Sequence, residues 1–156
     1  MNADDRFDLE AKSLGYNFDG EIKIGGNYVP LVRDGKHIYL SGQIPRVEDT
    51  VVVTGAAGAE ASLAQAQLAA KVCAMRALAL LKRAVGSLEN VKSILRVTVY
   101  VQSSPGFTQQ SEVADAVSEV LFKVLGPAGA HTRTSVGVLQ LPKNATVEVD
   151  LIATVE

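Results

Sequence analysis

The chain has 156 residues, with fifteen Lys and Arg against seventeen Asp and Glu, a net charge of -2. That length supports one core burying about two-thirds of the unfolded chain's surface, so a single domain is expected. Near-neutral charge gives no basic field to displace counterions from a long nucleic acid. Four Tyr, four Phe and no Trp leave little for a base-stacking platform, so nucleic acid is not an expected partner.

The opening MNADDRFDLE carries four acids and no apolar leader. No run of about 18 apolar residues follows, which predicts a soluble cytoplasmic protein without a membrane partner. From Asp5 to Leu14 the placement of Phe7, Leu9 and Leu14 predicts a short amphipathic helix ending at Gly15. With the glycine-containing loop behind it, this makes residues 1–25 an appendage and 26–156 the single domain. YVPLVRDGKHIYLSG reads as a hairpin: a strand over Tyr28–Arg33 kept at an edge by Pro30, a turn at Asp34-Gly35, and a strand over His37–Ser41. A third strand is expected in TVVVTG.

Residues 60–85 are rich in helix formers, and Ala64, Leu68, Val72, Met75 and Ala79 recur at helical spacing, so a long helix lies on a sheet. Its alanines allow close approach, and Gly86 ends it. SILRVTVYV, residues 93–101, alternates Leu95, Val97, Val99 and Val101 with Arg96, Thr98 and Tyr100, a strand with one apolar face. A second helix over 108–125 buries Val113, Val117, Val120 and Val124 and is broken by Gly126-Pro127. Two last strands, 132–139 and 145–155, are joined by LPKN as an antiparallel hairpin. In the second of them Val147, Val149, Leu151 and Ala153 face one way and Glu148, Asp150, Ile152 and Thr154 the other.

The order β-β-β-α-β-α-β-β gives an α+β domain, a two-layer mixed sheet with both long helices on one face. Ile152, Gly137 and Leu139 on the uncovered face call for burial against a second copy. Cys73 is the only cysteine, so there is no disulfide or thiolate cluster, and its place in the apolar helix pattern makes it a buried thiol. His37 and His131 are not at metal-ligand spacing, and GAAGAE lacks the Lys of a phosphate loop. No metal or cofactor is expected.

The stretches HIYLSGQIP, VKSILRVTVYVQSSPGF and TRTSVGVLQLPKNATVEVDLIATV, with the Ala-rich helix between the first two, resemble in order and spacing the reactive intermediate deaminase family, also called YjgF or L-PSP endoribonuclease-like. The resemblance covers about residues 26–155. The N-terminal helix, GNYVPLVR and FTQQSEVADAVSE are most similar to a subgroup with longer N-terminal and loop segments. The resemblance implies a homotrimer of chorismate-mutase-like fold, sheets lining a central barrel, with three ligand clefts between subunits. It implies that Arg133 binds the carboxylate of a 2-imino acid and that Glu148 is the acid of the last strand. Ser135, Tyr28, Gly42 and Gln43 then form the rest of the cleft wall. Asp115, where the subgroup often has asparagine, and Gly137, in place of a larger residue, depart from the pattern and bear on the substrate.

Hydrolysis of an imine needs a held substrate, a positioned water and a proton source for departing ammonia. Arg133 offers a planar fork for the carboxylate, and Glu148 can orient or deprotonate the water. The structural alternative is a cross-strand pair of Arg133 with Glu148 or Asp150, worth little if exposed. The expected activity is deamination of carboxylate-bearing imines and enamines. The alternatives are an endoribonuclease or translation inhibitor, and a non-catalytic trimer that binds a small acid.

Overall fold

The computed structural model describes residues 1–156. Helix α1 (Ala3–Leu14) starts in a capping box, with the Asn2 side chain accepting from the Asp5 amide, and ends at Gly15, whose φ of 79° suits glycine. It is tied into the core: Phe7 is 2% exposed and meets Phe18 edge-on at 6.3 Å. The buried Glu10 pairs with Lys123 at 3.1 Å, and Asp4 accepts from Ser87 Oγ at 2.6 Å.

Strands β1 (Leu31–Asp34) and β2 (His37–Gln43) form the expected hairpin, but Tyr28–Pro30 lie outside it. Proline has no N–H for a ladder, so pairing begins one residue after it. TVVVTG is not a third strand of the main sheet. Strand β3 (Arg46–Val47) pairs only with β4 (Thr50–Val51), turning at Glu48, whose φ is 55°. Thr54 then bridges to Ala145.

Helix α2 (Leu63–Val85) begins at a Ser62 capping box and is buried on all sides from Ala69 to Leu81 except at Lys71. A stripe was expected, and Ala64 in fact faces solvent. The helix is enclosed by the sheet on one side and by α1 and helix α3 (Gln110–Leu125) on the other, so no polar face is needed along its middle. All four valines expected in the α3 stripe are buried.

Strand β5 (Val91–Gln102) departs from the simple alternation. Its register against β7 (Val147–Val155) slips between Ile94 and Arg96, so two residues oppose one. This bulge turns Leu95 outward, 39% exposed, and puts Ile94 in the core instead.

Strand β6 (Thr132–Val138) is not the hairpin partner of β7. It runs parallel to β5 at the edge of a five-stranded sheet of order β1-β2-β7-β5-β6. The intervening α3 carries the chain back along the sheet, which forces a parallel return, and β7 fills the slot between β2 and β5. A cross-strand pair of Arg133 with Glu148 or Asp150 is therefore excluded, because β5 separates the strands. Arg133, Ser135 and Gly137 are level with the buried Val97, Val99 and Val101 and share their helix-facing side, so Gly137 is not on the open face. Both helices cover that side. The other side exposes Val32 (55%), Tyr39 (46%) and Val136 (38%). No helix is long and apolar enough to cross a membrane.

Candidate functional site

The β2 bulge shapes the site. The register against β7 shifts between Leu40 and Gln43, and the bulge places Gly42 beside the carboxylate of Glu148. A Cβ at Gly42 would come within 2.1 Å of Glu148 Oε2. No side chain fits there while the carboxylate keeps its place. Burial pushes the Glu148 pKa up, with the neighbouring Asp150 charge adding to it. Asp150 is itself raised by burial, although its hydrogen bond from Tyr100 Oη at 3.1 Å and the Arg96 charge oppose this. The two half-buried acids are neighbours on the uncovered face of β7.

Glu148, Gly42, Gln43 and Tyr28 line one cleft of about 370 Å³, within the ~300–1,000 Å³ common for small-molecule sites. Four of the six residues expected at the site thus meet in one chain. Gln43 is 2% exposed and fixed at both ends: Nε2 donates to Ser41 O at 3.0 Å, and Oε1 accepts from Arg76 Nε at 3.2 Å.

Arg133 and Ser135 do not reach this cleft. They lie on the opposite face of the sheet, on a strand two places away. Helix α3 engages the whole end of the Arg133 fork. Nη1 donates to Asp115 Oδ1 and Ser118 Oγ, both at 2.9 Å, and Nη2 to Ser111 Oγ at 3.0 Å. Ser118 Oγ is also 2.8 Å from His131 Nε2, and His131 Nδ1 is 2.6 Å from the Gly129 carbonyl. A carbonyl only accepts, so Nδ1 carries a proton, and in the neutral imidazole Nε2 accepts from the serine. In that form Arg133, Ser118 and His131 donate in turn along one chain that ends on the Gly129 carbonyl.

The Glu148 cleft is also lined by cations, which the sequence reading did not anticipate. Lys23, Arg46, Arg76 and Lys143 line it. Arg76 was legible in principle: it falls in step with Ala69, Val72, Cys73 and Ala79, all buried, so a guanidinium stood inside a core-facing pattern. Lys143 arrives through the strained LPKN turn, where Lys143 and Asn144 have φ of 59° and 58°. Nothing in the local pattern signals that turn. No group of three or more His, Cys, Asp or Glu is arranged to hold a metal ion.

Gly42→Ala is expected to leave the fold intact and to displace the Glu148 carboxylate. A crystal structure of the variant with Glu148 unmoved would contradict this.

Comparison with known proteins agrees in fold and sequence. The model of the family described as Endoribonuclease L-PSP matches residues 19–155. The chain is 36% identical over 151 residues to Protein TCP17 of Trypanosoma cruzi, covering 96% of this chain and 94% of that protein. It is 31% identical over 132 residues to the 2-iminobutanoate/2-iminopropanoate deaminase of Dermatophagoides farinae, covering 84% and 88%. A protein of unknown function from Agrobacterium tumefaciens, solved by crystallography, superposes with a TM-score of 0.88 at 35% identity, covering 99% of this chain and 95% of that one.

Proposed function

The chain belongs to the Endoribonuclease L-PSP family, and on that premise we propose that it hydrolyses carboxylate-bearing imines to 2-oxo acids and ammonia, with Glu148 handling the proton. The observation that carries this reading is the Glu148 carboxylate, its pKa raised by burial, lodged against Gly42 in a cleft shaped for a small molecule. The deaminase of Dermatophagoides farinae, 31% identical, supports the reaction class.

In the proposed reaction a water oxygen attacks C2 of the imine as Glu148 takes its proton. Glu148 delivers that proton to the nitrogen as the C=N bond becomes a C–N single bond. The carbinolamine then collapses: Glu148 takes the hydroxyl proton as the C2–O bond becomes a carbonyl, the C–N bond breaks, and that second proton leaves with the nitrogen as ammonia. A base whose pKa lies above the ordinary carboxylate range suits both directions of this transfer. Tyr28 borders the substrate, Gln43 holds Arg76 in the cleft lining, and the small Gly42 leaves room for the Glu148 carboxylate.

Arg133 and Ser135 complete the site only if another copy supplies them. They face away from Glu148 within one chain, yet they lie on edge strand β6, where a neighbouring copy can meet them. A homotrimer with clefts between subunits does this and covers the exposed Val32, Tyr39 and Val136.

The test is ammonia release from 2-iminopropanoate generated in situ, alongside incubation with RNA. Accelerated ammonia release without RNA cleavage is expected, from a species that sediments as a trimer. RNA cleavage with no effect on the imine would replace this function with a nuclease. A monomer in sedimentation equilibrium would remove Arg133 and Ser135 from the cleft.

A further inference from the structure

Arg76 is 4% exposed, and its guanidinium meets only uncharged acceptors: the Gln43 side chain and the carbonyls of Arg46 and Lys23. No carboxylate pairs with it, nor with Arg46. Three of its five N–H groups are used in these bonds. Beside it, Arg46 Nε is buried with no hydrogen-bond partner at all. Lys23 is paired with the exposed Asp49. Burial holds the Arg76 pKa down to about 10, still high enough for it to be charged at neutral pH.

Buried cations without an anion are costly, and a buried donor without a partner adds to the cost. These cations line a cleft whose own lining holds a single acid, Glu148, while Lys23, Arg46 and Arg76 also border an adjoining cleft with Glu21, Glu48 and Asp49. Catalysis on a simple 2-imino acid requires one cation for its one carboxylate, and Arg133 from another copy would supply it in the function proposed above. The cationic charge in the lining is then in excess of what such a substrate needs.

We infer that this cleft accepts a small 2-imino acid bearing a second anionic group, a carboxylate or a phosphate on its side chain, held by Arg46, Lys143 and the inner guanidinium of Arg76. This deepens the proposed deaminase reading and rests on it. Arg46, at the start of β3, and Lys143, in the turn before β7, reach the second anion. Arg76 stays fixed by its three neutral acceptors and acts as a charge in the lining.

The test compares the stable 2-oxo acid products by isothermal titration: 2-oxobutyrate with one anionic group, 2-oxoglutarate with a second carboxylate, and 3-phosphohydroxypyruvate with a phosphate. One of the two larger acids is expected to bind about 10- to 100-fold more tightly than 2-oxobutyrate, the range for a charge-assisted contact. Which of them does so names the second group. Arg46→Gln and Lys143→Gln should each lower that ratio, and the double variant should bring it close to one, with circular dichroism and sedimentation unchanged. Equal binding of all three acids by the wild type, or a ratio that survives the double variant, would overturn the inference and leave Arg76 as a clasp for the loops at Lys23 and Arg46. Binding of none overturns it as well. Ammonia release from 2-iminopropanoate, which carries no second anion, reads the deaminase function separately. Turnover without discrimination sinks the inference alone, and discrimination without turnover sinks the deaminase reading and leaves a cleft that binds small dianionic acids.

Discussion

Replacing Glu148 with glutamine is expected to lower imine turnover by about 10²- to 10⁴-fold in a protein that stays folded, because the amide keeps the shape and loses the basic oxygen. The pH profile should carry the same signature. Burial and then the Asp150 charge raise the Glu148 pKa, so the ionised base is lost as pH falls through a value above the ordinary glutamate pKa of about 4.3. Asp150→Asn removes the second of those causes and should move the acid limb to lower pH. Stability runs the other way. A carboxyl whose folded pKa is raised favours the fold below its unfolded pKa, and this contribution is lost as pH rises through the folded pKa. Glu148→Gln should therefore melt no lower than wild type at pH 7–8, and any gain should shrink near pH 4. Unchanged turnover would exclude Glu148 as the base.

Much of this arrangement could be read from residue patterns because it depends on periodicity. The β7 alternation sends Val147 and Val149 inward and Glu148 and Asp150 outward, and the α3 valines fall on one stripe; both are local consequences of backbone geometry. What escaped were features set by insertion and strand order. One extra residue in β5 exchanges Leu95 for Ile94, and one in β2 puts Gly42 against Glu148, while no residue type marks either bulge. The parallel placement of β6 follows from the crossover through α3, whereas adjacency in sequence suggested a hairpin. That difference decides the site. A hairpin would have let Arg133 meet Glu148 within one chain, and the actual order puts them on opposite faces. Arg76 escaped for another reason, since helical propensity does not distinguish arginine from the alanines around it.

The same strand order gives Arg133 its test. Arg133→Lys should impair imine turnover nearly as much as Arg133→Ala, since an ammonium supplies a point charge without the planar fork. The lost charge-assisted contact is worth about 2–3 kcal/mol, roughly 30- to 150-fold in kcat/KM. The fork is already occupied, however: Asp115 holds Nη1, and Ser111 holds Nη2. A substrate carboxylate must therefore take the place of the Asp115 carboxylate, an exchange of like for like at a residue 67% exposed. Asp115→Asn keeps the serine contacts and removes the competing charge, so 2-oxobutyrate should bind a few-fold more tightly. Neither change should cost the fold much, because an ion pair with so exposed a partner contributes about 0–1 kcal/mol. Wild-type turnover in Arg133→Lys would show that Arg133 does not grip a carboxylate. A large loss of thermal stability in Arg133→Ala, with turnover intact, would make it a tie between β6 and α3 alone.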